Sequence, residues 1–308
     1  MARELKLLSV VIPICNEKDN INELYSRLIK IGKELSTKLE LVFVNDGSSD
    51  SSFSMLKALG VSDKQVKVVD LSRNFGHQMA IRAGIEFASG DAVAIMDADL
   101  QDPPEVVIDM IASWKEGYHV VYAIRKTRKE GLLLRFLYAT FYRLLKIMAN
   151  TDMPLDAGDF CLMDKSIVKI LSSMPESDPF MRGLRSWVGY DQIGVEYDRQ
   201  ERFGGKTKYS FLKLFRLALD GLVSFSYIPL RLAAISGFVV SGFAFLLILL
   251  LCFKRMPIYG TTTITVLILF LGGVQLITIG ILGEYIARIY EQSKKRPLFL
   301  VKEKVNIQ

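Results

Sequence analysis

The stretch Ala92-Val93-Ala94-Ile95-Met96-Asp97-Ala98-Asp99 decides the fold class, because a short apolar run ends in two carboxylates. Such a run, bounded by polar residues, is typical of a buried strand. Similar runs alternate with amphipathic stretches along the first 125 residues. The predicted strands are Leu7 to Ile12, Leu39 to Asn45, Val66 to Leu71, Ala92 to Met96 and His119 to Ala123, and the predicted helices are Ile21 to Leu35, Ser52 to Leu59, Gln78 to Ala88 and Glu105 to Lys115. This alternation predicts a Rossmann-like α/β domain with a mostly parallel sheet covered on both faces.

Polar clusters follow three of the predicted strands, where ligands bind in open α/β sheets. Asp97 and Asp99 are two residues apart, so extended backbone directs both carboxylates to one side. Hard oxygen ligands suit Mg²⁺ or Mn²⁺ shared with a diphosphate, and Gln101 can add a neutral oxygen. The sequence therefore predicts a metal site at Asp97, Asp99 and Gln101. The alternative is a solvated loop, in which Asp-x-Asp is common.

Asp46 follows another predicted strand, in Val44-Asn45-Asp46-Gly47-Ser48. A carboxylate at a strand end can accept hydrogen bonds from a base or a ribose. The alternative is a local Asx-turn without a ligand. The region has neither a G-x-G-x-x-G pattern nor a Walker loop, which argues against a dinucleotide oxidoreductase and a P-loop NTPase.

Two uncharged segments, Leu232 to Phe253 and Gly260 to Gly283, predict a pair of transmembrane helices. Each exceeds the ~20 residues that a helix needs to cross a bilayer. The alternative is a pair of buried core helices. The flanks are rich in Lys and Arg, so the positive-inside rule predicts that the N-terminal region and the C-terminal tail are cytoplasmic, at the cytoplasmic (inner) membrane.

Residues 131–149 and 211–228 mix basic and apolar side chains, and we expect both to form amphipathic helices in the membrane interface. A helix packed on the sheet with a solvated basic face is the alternative for each. The net charge of +6 is concentrated near the predicted spans, which favours anionic lipid headgroups or a phosphorylated lipid over nucleic acid. The predicted organisation is a catalytic domain over 1–210 that includes the first of these helices, a juxtamembrane helix over 211–228, two spans within 229–287 and a basic tail over 288–308. That tail is compatible with pairing to a neighbouring subunit in a homo-oligomer.

Four motifs together resemble a known family. They are Val10-Val11-Ile12-Pro13-Ile14-Cys15-Asn16-Glu17, Val44-Asn45-Asp46-Gly47-Ser48, Leu71-Ser72-Arg73-Asn74-Phe75-Gly76 and Asp97-Ala98-Asp99-Leu100-Gln101-Asp102-Pro103-Pro104. The chain is similar to the family 2 inverting glycosyltransferases with a GT-A fold. Within them it resembles the polyprenyl-phosphate glycosyltransferases, the group of dolichyl-phosphate mannose synthase and bactoprenol glucosyltransferase. The resemblance covers nearly the whole chain, including Arg202 to Tyr209.

The resemblance implies roles for individual residues. Donor contacts are expected at Pro13, Glu17, Asp46, Asn74, Asp97, Ala98 and Asp99. The acceptor-side acid is expected at Asp159, with Asp156 as the alternative. His77 is expected to be structural or to act through another residue. A Gln-x-x-Arg-Trp motif, which marks processive polysaccharide synthases, does not occur, so polymerisation is not expected.

The expected reaction moves a hexose from a nucleotide sugar to polyprenyl phosphate. Glucose is favoured over mannose, and UDP over GDP, without excluding either alternative. A phosphate dianion that approaches a diphosphate needs countercharge, which guanidinium groups supply well. The candidate cations are Arg125, Arg128, Arg135, Arg202 and Lys208. Two other functions remain open: a non-catalytic subunit that binds nucleotide sugar, and a transferase for another lipid such as a diacylglycerol.

Overall fold

The computed structural model of the chain describes residues 3–126, 157–176, 179–200, 230, 233–240, 242 and 261–307. Contacts between residues divide these into two units. The first unit contains the described residues up to 200 together with 297–307. The second unit contains the described residues between 230 and 296.

The first unit is built on an eight-stranded sheet with the order β7-β5-β6-β4-β1-β2-β3-β8. The strands are β1 (Leu7–Ile14), β2 (Lys38–Asn45), β3 (Val66–Leu71), β4 (Ala92–Ile95), β5 (Val120–Arg125), β6 (Ala157–Asp164), β7 (Gln192–Tyr197) and β8 (Val301–Val305). The helices are α1 (Ile21–Glu34), α2 (Ser52–Ser62), α3 (His77–Phe87), α4 (Val106–Lys115), α5 (Lys165–Ser173) and α6 (Met181–Trp187). The predicted five strands and four helices of the first 125 residues are all confirmed, with ends that differ by a few residues.

The first four strands form the parallel centre of the sheet. β1 pairs in parallel with β2 and with β4, and β2 pairs in parallel with β3. Residues such as Leu8, Phe43 and Val68 are completely buried, which explains why these strands read as continuous apolar runs. The whole sheet is mixed, because β6 is antiparallel to β4 and β5, and β8 is antiparallel to β3. Both antiparallel strands come from parts of the chain outside the predicted alternation.

Strand β8 lies within the predicted basic tail over 288–308. Residues 301–305 lie at the edge of the sheet, where Val305 is opposite Val68. Asn306 Nδ2 then donates to the carbonyl oxygens of Gly60 and Val66, at 2.5 and 2.8 Å. The half-buried Val301, Glu303 and Val305 of β8 alternate with the exposed Lys302 and Lys304, as expected for a short, charged edge strand. The sequence analysis considered the basic residues of this segment and did not predict the strand.

Glu40 is a buried carboxylate in β2 that links the central strands. Lys67 Nζ on β3 lies 2.5 Å from one of its oxygens, and Ser89 donates through its amide at 2.8 Å and its hydroxyl at 2.6 Å. The hydroxyl of Ser9 on β1 also donates to it. Burial alone would raise the pKa of Glu40, but the hydrogen bonds from Lys67, Ser89 and Ser9 outweigh it and lower the pKa.

We expect Glu40→Ala to lower the free energy of unfolding by about 2 to 3 kcal/mol at pH 7, somewhat less than for a fully buried pair, because Lys67 can reach water. A lowered folded-state pKa stabilises the protein above the unfolded pKa of ~4.3, and this stabilisation is lost as the pH falls through the folded pKa. The variant should therefore lose less stability than the wild type on acidification. Urea unfolding at several pH values measures this. The exposed Glu86→Ala variant is the control, and an equal acid dependence in wild type and Glu40→Ala would contradict the expectation.

The second unit contains a long helix, α7 (Thr261–Ser293), of 33 residues. At 1.5 Å per residue it is about 50 Å long. Many of its described side chains are apolar and exposed, among them Ile268, Phe270, Leu276 and Ile289. Within the described part of the chain, Phe270–Ser293 is the one segment long and apolar enough to cross a membrane. Residues 233–240 are helical, but most of the first predicted span and both predicted interfacial helices lie outside the described residues.

Candidate active site

The carboxyl ends of the parallel strands bring the predicted donor residues to one edge of the sheet. Pro13 lies near the end of β1 opposite Val44 of β2. Asp46 follows β2, and Asp97 follows β4 after a single intervening residue. The pairing of β1 with both β2 and β4 brings these strand ends side by side.

The loop after β4 presents the carboxylate pair. Ala98 is buried, Asp97 and Asp99 are half-buried, and Asp99 Oδ1 accepts a hydrogen bond from the amide of Gln101 at 3.1 Å. Leu100 has a φ of 59°, a left-handed conformation that turns the chain sharply after the pair. Burial, together with the nearby acids, raises the pKa of Asp97 to about 6 in spite of His77. This crowding of negative charge is what a bound cation would relieve.

The donor atoms of this loop fit a divalent cation that also binds a diphosphate. In the part of the chain that the structure describes, no group of three or more His, Cys, Asp or Glu side chains is arranged to hold a metal. Two carboxylates alone suit Mg²⁺, which usually completes its coordination with water and substrate phosphates. Gln101 Oε1 accepts a hydrogen bond from Arg199 Nη2 at 2.8 Å, so a metal that used this oxygen would share it with a guanidinium group.

Asp46 is buried and holds the loop that follows β3. Its two carboxylate oxygens accept hydrogen bonds from the amides of Phe75, at 2.6 Å, and Gly76, at 3.0 Å. Asn74 Nδ2 donates to the Asp46 carbonyl oxygen at 3.0 Å and lies 3.3 Å from Cys15 Sγ. Gly47 has a φ of 63°, and a Cβ atom there would lie 2.5 Å from the Asn74 amide nitrogen. The geometry therefore indicates that Asp46 positions Asn74 at the end of β1.

Glu17, the remaining predicted donor contact, lies in the loop between β1 and α1. Its amide donates to Ser52 Oγ at 3.1 Å, and its Oε2 accepts from Asn20 Nδ2 at 2.6 Å. These bonds fix Glu17 at the same edge as Pro13 and Asp46. Its contact with a donor stays a prediction.

Asp159 lies at the start of β6 and is surrounded by hydrogen-bond donors. Arg182 binds it through two parallel bonds, from Nε to Oδ1 at 2.7 Å and from Nη2 to Oδ2 at 3.0 Å. Gln78 Nε2 donates to Oδ2 at 3.3 Å. Burial would raise the pKa of Asp159, but Arg182 and His77 outweigh it and hold the pKa well below its usual range. Such a carboxylate is a weak general base, so this geometry favours a role in orientation.

His77 connects the two carboxylates of the site. Its Nε2 lies 3.5 Å from Asp97 Oδ1 and 3.3 Å from Asp159 Oδ2. The sequence analysis expected a structural or indirect role for His77, and it did not single out Gln78 or Arg182. For His77, the sequence signal was its position directly after Gly76, at the end of a motif that was already predicted to bind the donor. Arg182 gave no comparable signal, because its contact with Asp159 depends on how α6 packs.

Asp102 forms a second buried cluster in the loop that follows β4. The Tyr197 hydroxyl donates to it, and the guanidinium groups of Arg125 and Arg199 lie 3.8 and 3.5 Å away. Arg125 Nε also donates to the Tyr197 hydroxyl oxygen at 3.2 Å. Burial and Asp102 raise the pKa of Tyr197. Arg125, predicted to bind the acceptor phosphate, is thus partly neutralised by Asp102.

The other predicted acceptor-side residues lie outside the described residues. They are Asp156, Arg128, Arg135, Arg202 and Lys208. Their roles stay predictions. The structure brings together Asp97, Asp99, Asp159 and His77 at one edge, with Asp46 and Asn74 on the adjoining strand ends.

The mixed sheet with a carboxylate pair after its central strand defines a GT-A-like α/β glycosyltransferase. The sequence also assigns the chain to one family within this class. Residues 9–171 match the model of Glycosyl transferase family 2, and the chain belongs to that family.

Similar proteins extend this match to nearly the full chain. A protein of Bacillus subtilis (strain 168) described as uncharacterized glycosyltransferase YkcC is 44% identical over 100% of this chain and 97% of its own. The bactoprenol glucosyl transferase of Shigella phage SfV is 42% identical over 96% of this chain and 98% of its own. Among solved structures, the glucosyl-3-phosphoglycerate synthase of Mycobacterium tuberculosis is 18% identical, with a TM-score of 0.47, over 71% of this chain and 76% of that one.

Proposed function

We propose that the protein transfers glucose from UDP-glucose to polyprenyl phosphate at the cytoplasmic face of a membrane. One observation carries this proposal: His77 Nε2 lies within 3.5 Å of both Asp97, on the loop with the carboxylate pair, and Asp159, the predicted acceptor-side acid. Residues predicted for the donor side and for the acceptor side thus lie in one cluster. The similarity to a bactoprenol glucosyl transferase along nearly the full chain supports the choice of sugar and acceptor.

On the donor side, Asp97 and Asp99 would hold Mg²⁺ or Mn²⁺, with Gln101 as a third ligand. The ion would neutralise the charge that develops on the departing nucleoside diphosphate. Asn74, held in place by Asp46, would contact the nucleoside at the end of β1. Mannose and GDP are the alternatives that a donor screen distinguishes.

On the acceptor side, the nucleophile needs little activation. The second pKa of a phosphate monoester is near ~6, so its oxygen is largely deprotonated at neutral pH. Asp159 is therefore assigned to orientation, in agreement with its low pKa. Displacement at the anomeric carbon from the side opposite the leaving group inverts its configuration. Arg125, and the predicted cations Arg128, Arg135, Arg202 and Lys208, would offset the phosphate charge.

The membrane supplies the acceptor. The apolar segment Phe270–Ser293 supports membrane association, and the two predicted spans would place both flanks in the cytoplasm. An acceptor with an isoprenoid tail stays in the lipid while its phosphate reaches the catalytic unit. A transferase anchored in the same bilayer therefore meets its acceptor without extracting it.

The test uses purified full-length protein in proteoliposomes with Mn²⁺ or Mg²⁺. Radiolabelled UDP-glucose and GDP-mannose are offered with polyprenyl phosphate, with the same polyprenol lacking phosphate, or with diacylglycerol. We expect label from UDP-glucose to enter the organic phase only with polyprenyl phosphate. Transfer to diacylglycerol would identify the other lipid acceptor. Binding of nucleoside diphosphate without transfer to any lipid would favour the non-catalytic subunit.

A further inference from the structure

Asp159 is held by more donors than a structural ion pair requires. A carboxylate has about four lone-pair directions. Arg182 takes two of them through its paired bonds, and Gln78 Nε2 lies 3.3 Å from Oδ2. His77 Nε2 lies 3.3 Å from the same oxygen. The plane and direction of this carboxylate are therefore fixed from several sides.

The surrounding fold fixes Arg182 in turn. It is the second residue of α6, and the amide of the first, Met181, donates to Gln78 Oε1 at 2.9 Å. Gln78 therefore joins α3, β6 and α6 through a single side chain. One turn further along α6, the buried Arg185 lies 3.4 Å from the Gly158 carbonyl oxygen. Two arginines of α6 thus contact two successive residues of β6, Gly158 and Asp159.

Stability alone does not account for this arrangement. A buried ion pair often contributes no more to stability than apolar residues of the same size. Here the pair lies beside a second carboxylate, since His77 spans Asp97 and Asp159. Two carboxylates in one cluster repel each other, and the guanidinium group of Arg182 offsets part of that charge.

We propose that Arg182 is a positioning residue for the transfer reaction, which acts by fixing the direction of the Asp159 carboxylate next to His77 and Asp97. This inference rests on the proposed function, because Asp159 is taken to orient the acceptor. Arg182 exchanges no proton and forms no new bond during the reaction. Its effect is transmitted through Asp159, the predicted acceptor-side acid.

The test is a double-mutant cycle with Arg182→Gln and Asp159→Asn in full-length protein. We expect Arg182→Gln alone to lower kcat for transfer to polyprenyl phosphate about 20- to 100-fold, since a bidentate charged pair is lost. In the Asp159→Asn background the same change should cost less than about twofold, because coupled residues are not additive. Arg182→Lys, which keeps the charge but not the fork, should retain more activity than Arg182→Gln.

Two controls separate positioning from stability. Arg27→Gln removes a similar two-bond pair, with Glu105 at 2.9 and 2.5 Å, that has no contact with Asp159. It should leave kcat unchanged, and its thermal stability should fall less than that of Arg182→Gln, because the Arg27–Glu105 pair is exposed to solvent. The affinity for UDP with Mn²⁺, measured by titration calorimetry, should change less than about threefold in either variant.

Independent, multiplying effects of Arg182→Gln and Asp159→Asn on an active wild type would overturn the inference and leave the proposed function intact. A large loss of UDP affinity in Arg182→Gln would overturn it as well, because Arg182 would then serve the donor. If Arg182→Gln does not fold, the cycle is run with Arg182→Lys under the same criteria. A wild type that labels no lipid would overturn both the inference and the proposed function.

Discussion

Asp97→Ala is expected to lower kcat/KM for glucosyl transfer about a thousandfold, which corresponds to about 4 kcal/mol of lost transition-state stabilisation. The carboxylate lies at the end of the central strand β4, where burial and neighbouring acids raise its pKa to about 6. A divalent cation bound there would relieve this repulsion and carry the leaving diphosphate. Without the carboxylate, the cation has lost one of its two charged ligands.

The measurement combines steady-state rates with calorimetric titration of UDP at several Mn²⁺ concentrations. The dependence of UDP affinity on Mn²⁺ should nearly vanish in Asp97→Ala and be strongly reduced in Asp99→Ala. Asp109→Ala, an exposed carboxylate on the first turn of α4, is the matched control and should behave as wild type. Full Mn²⁺ dependence of UDP binding in Asp97→Ala would mean that the metal binds elsewhere.

Asp46→Ala is expected to weaken UDP binding about 100-fold while the protein still folds. The carboxylate accepts hydrogen bonds from the amides of Phe75 and Gly76, and hydrogen bonds to a charged group contribute about 1.5 to 3 kcal/mol each. Its loss leaves two amides without their partner and frees the loop that carries Asn74. Asn74 would then have to be ordered at the expense of binding energy.

Titration of UDP and GDP distinguishes positioning from direct contact with the base. If Asp46 positions the loop, Asp46→Asn should weaken both nucleotides by a similar factor, smaller than for Asp46→Ala, because one amide oxygen can still accept a bond. A change in the preference between UDP and GDP would indicate direct recognition of the base instead. The exposed Asp19→Ala variant controls for a general loss of negative charge.

The sequence predicted the parallel centre of the sheet because its strands are buried on both faces and its helices are amphipathic. It also predicted that Asp46 and Asp97 would follow the carboxyl ends of strands, where ligands bind in open α/β sheets. The hydrogen-bond partners of Asp159 could not be predicted from strand and helix patterns. Arg182 reaches Asp159 from 23 residues further along the chain, and only the packing of α6 on β6 brings their side chains together.

The same limit applies to the polar contacts within the site. Gln101 was chosen as a metal ligand from its spacing, but its oxygen also meets Arg199, which the sequence places 98 residues away. His77 was expected to be structural or to act through another residue, but its two carboxylate partners, each within 3.5 Å, could not be predicted. Side-chain hydrogen bonds between distant elements are set by tertiary packing, which local patterns do not encode.

Because β8 is the last strand in the chain, the sheet is completed only at the end of synthesis. The apolar helix α7 precedes β8 in the chain, so the helix is synthesised before the eighth strand can join the sheet. A fragment that stops ahead of the helix would leave the backbone groups of β3 facing water, an edge at which chains aggregate. The sheet can therefore be complete only in a chain that already contains the helix. A single cut in the chain cannot isolate the catalytic unit intact, because its residues lie on both sides of the helix.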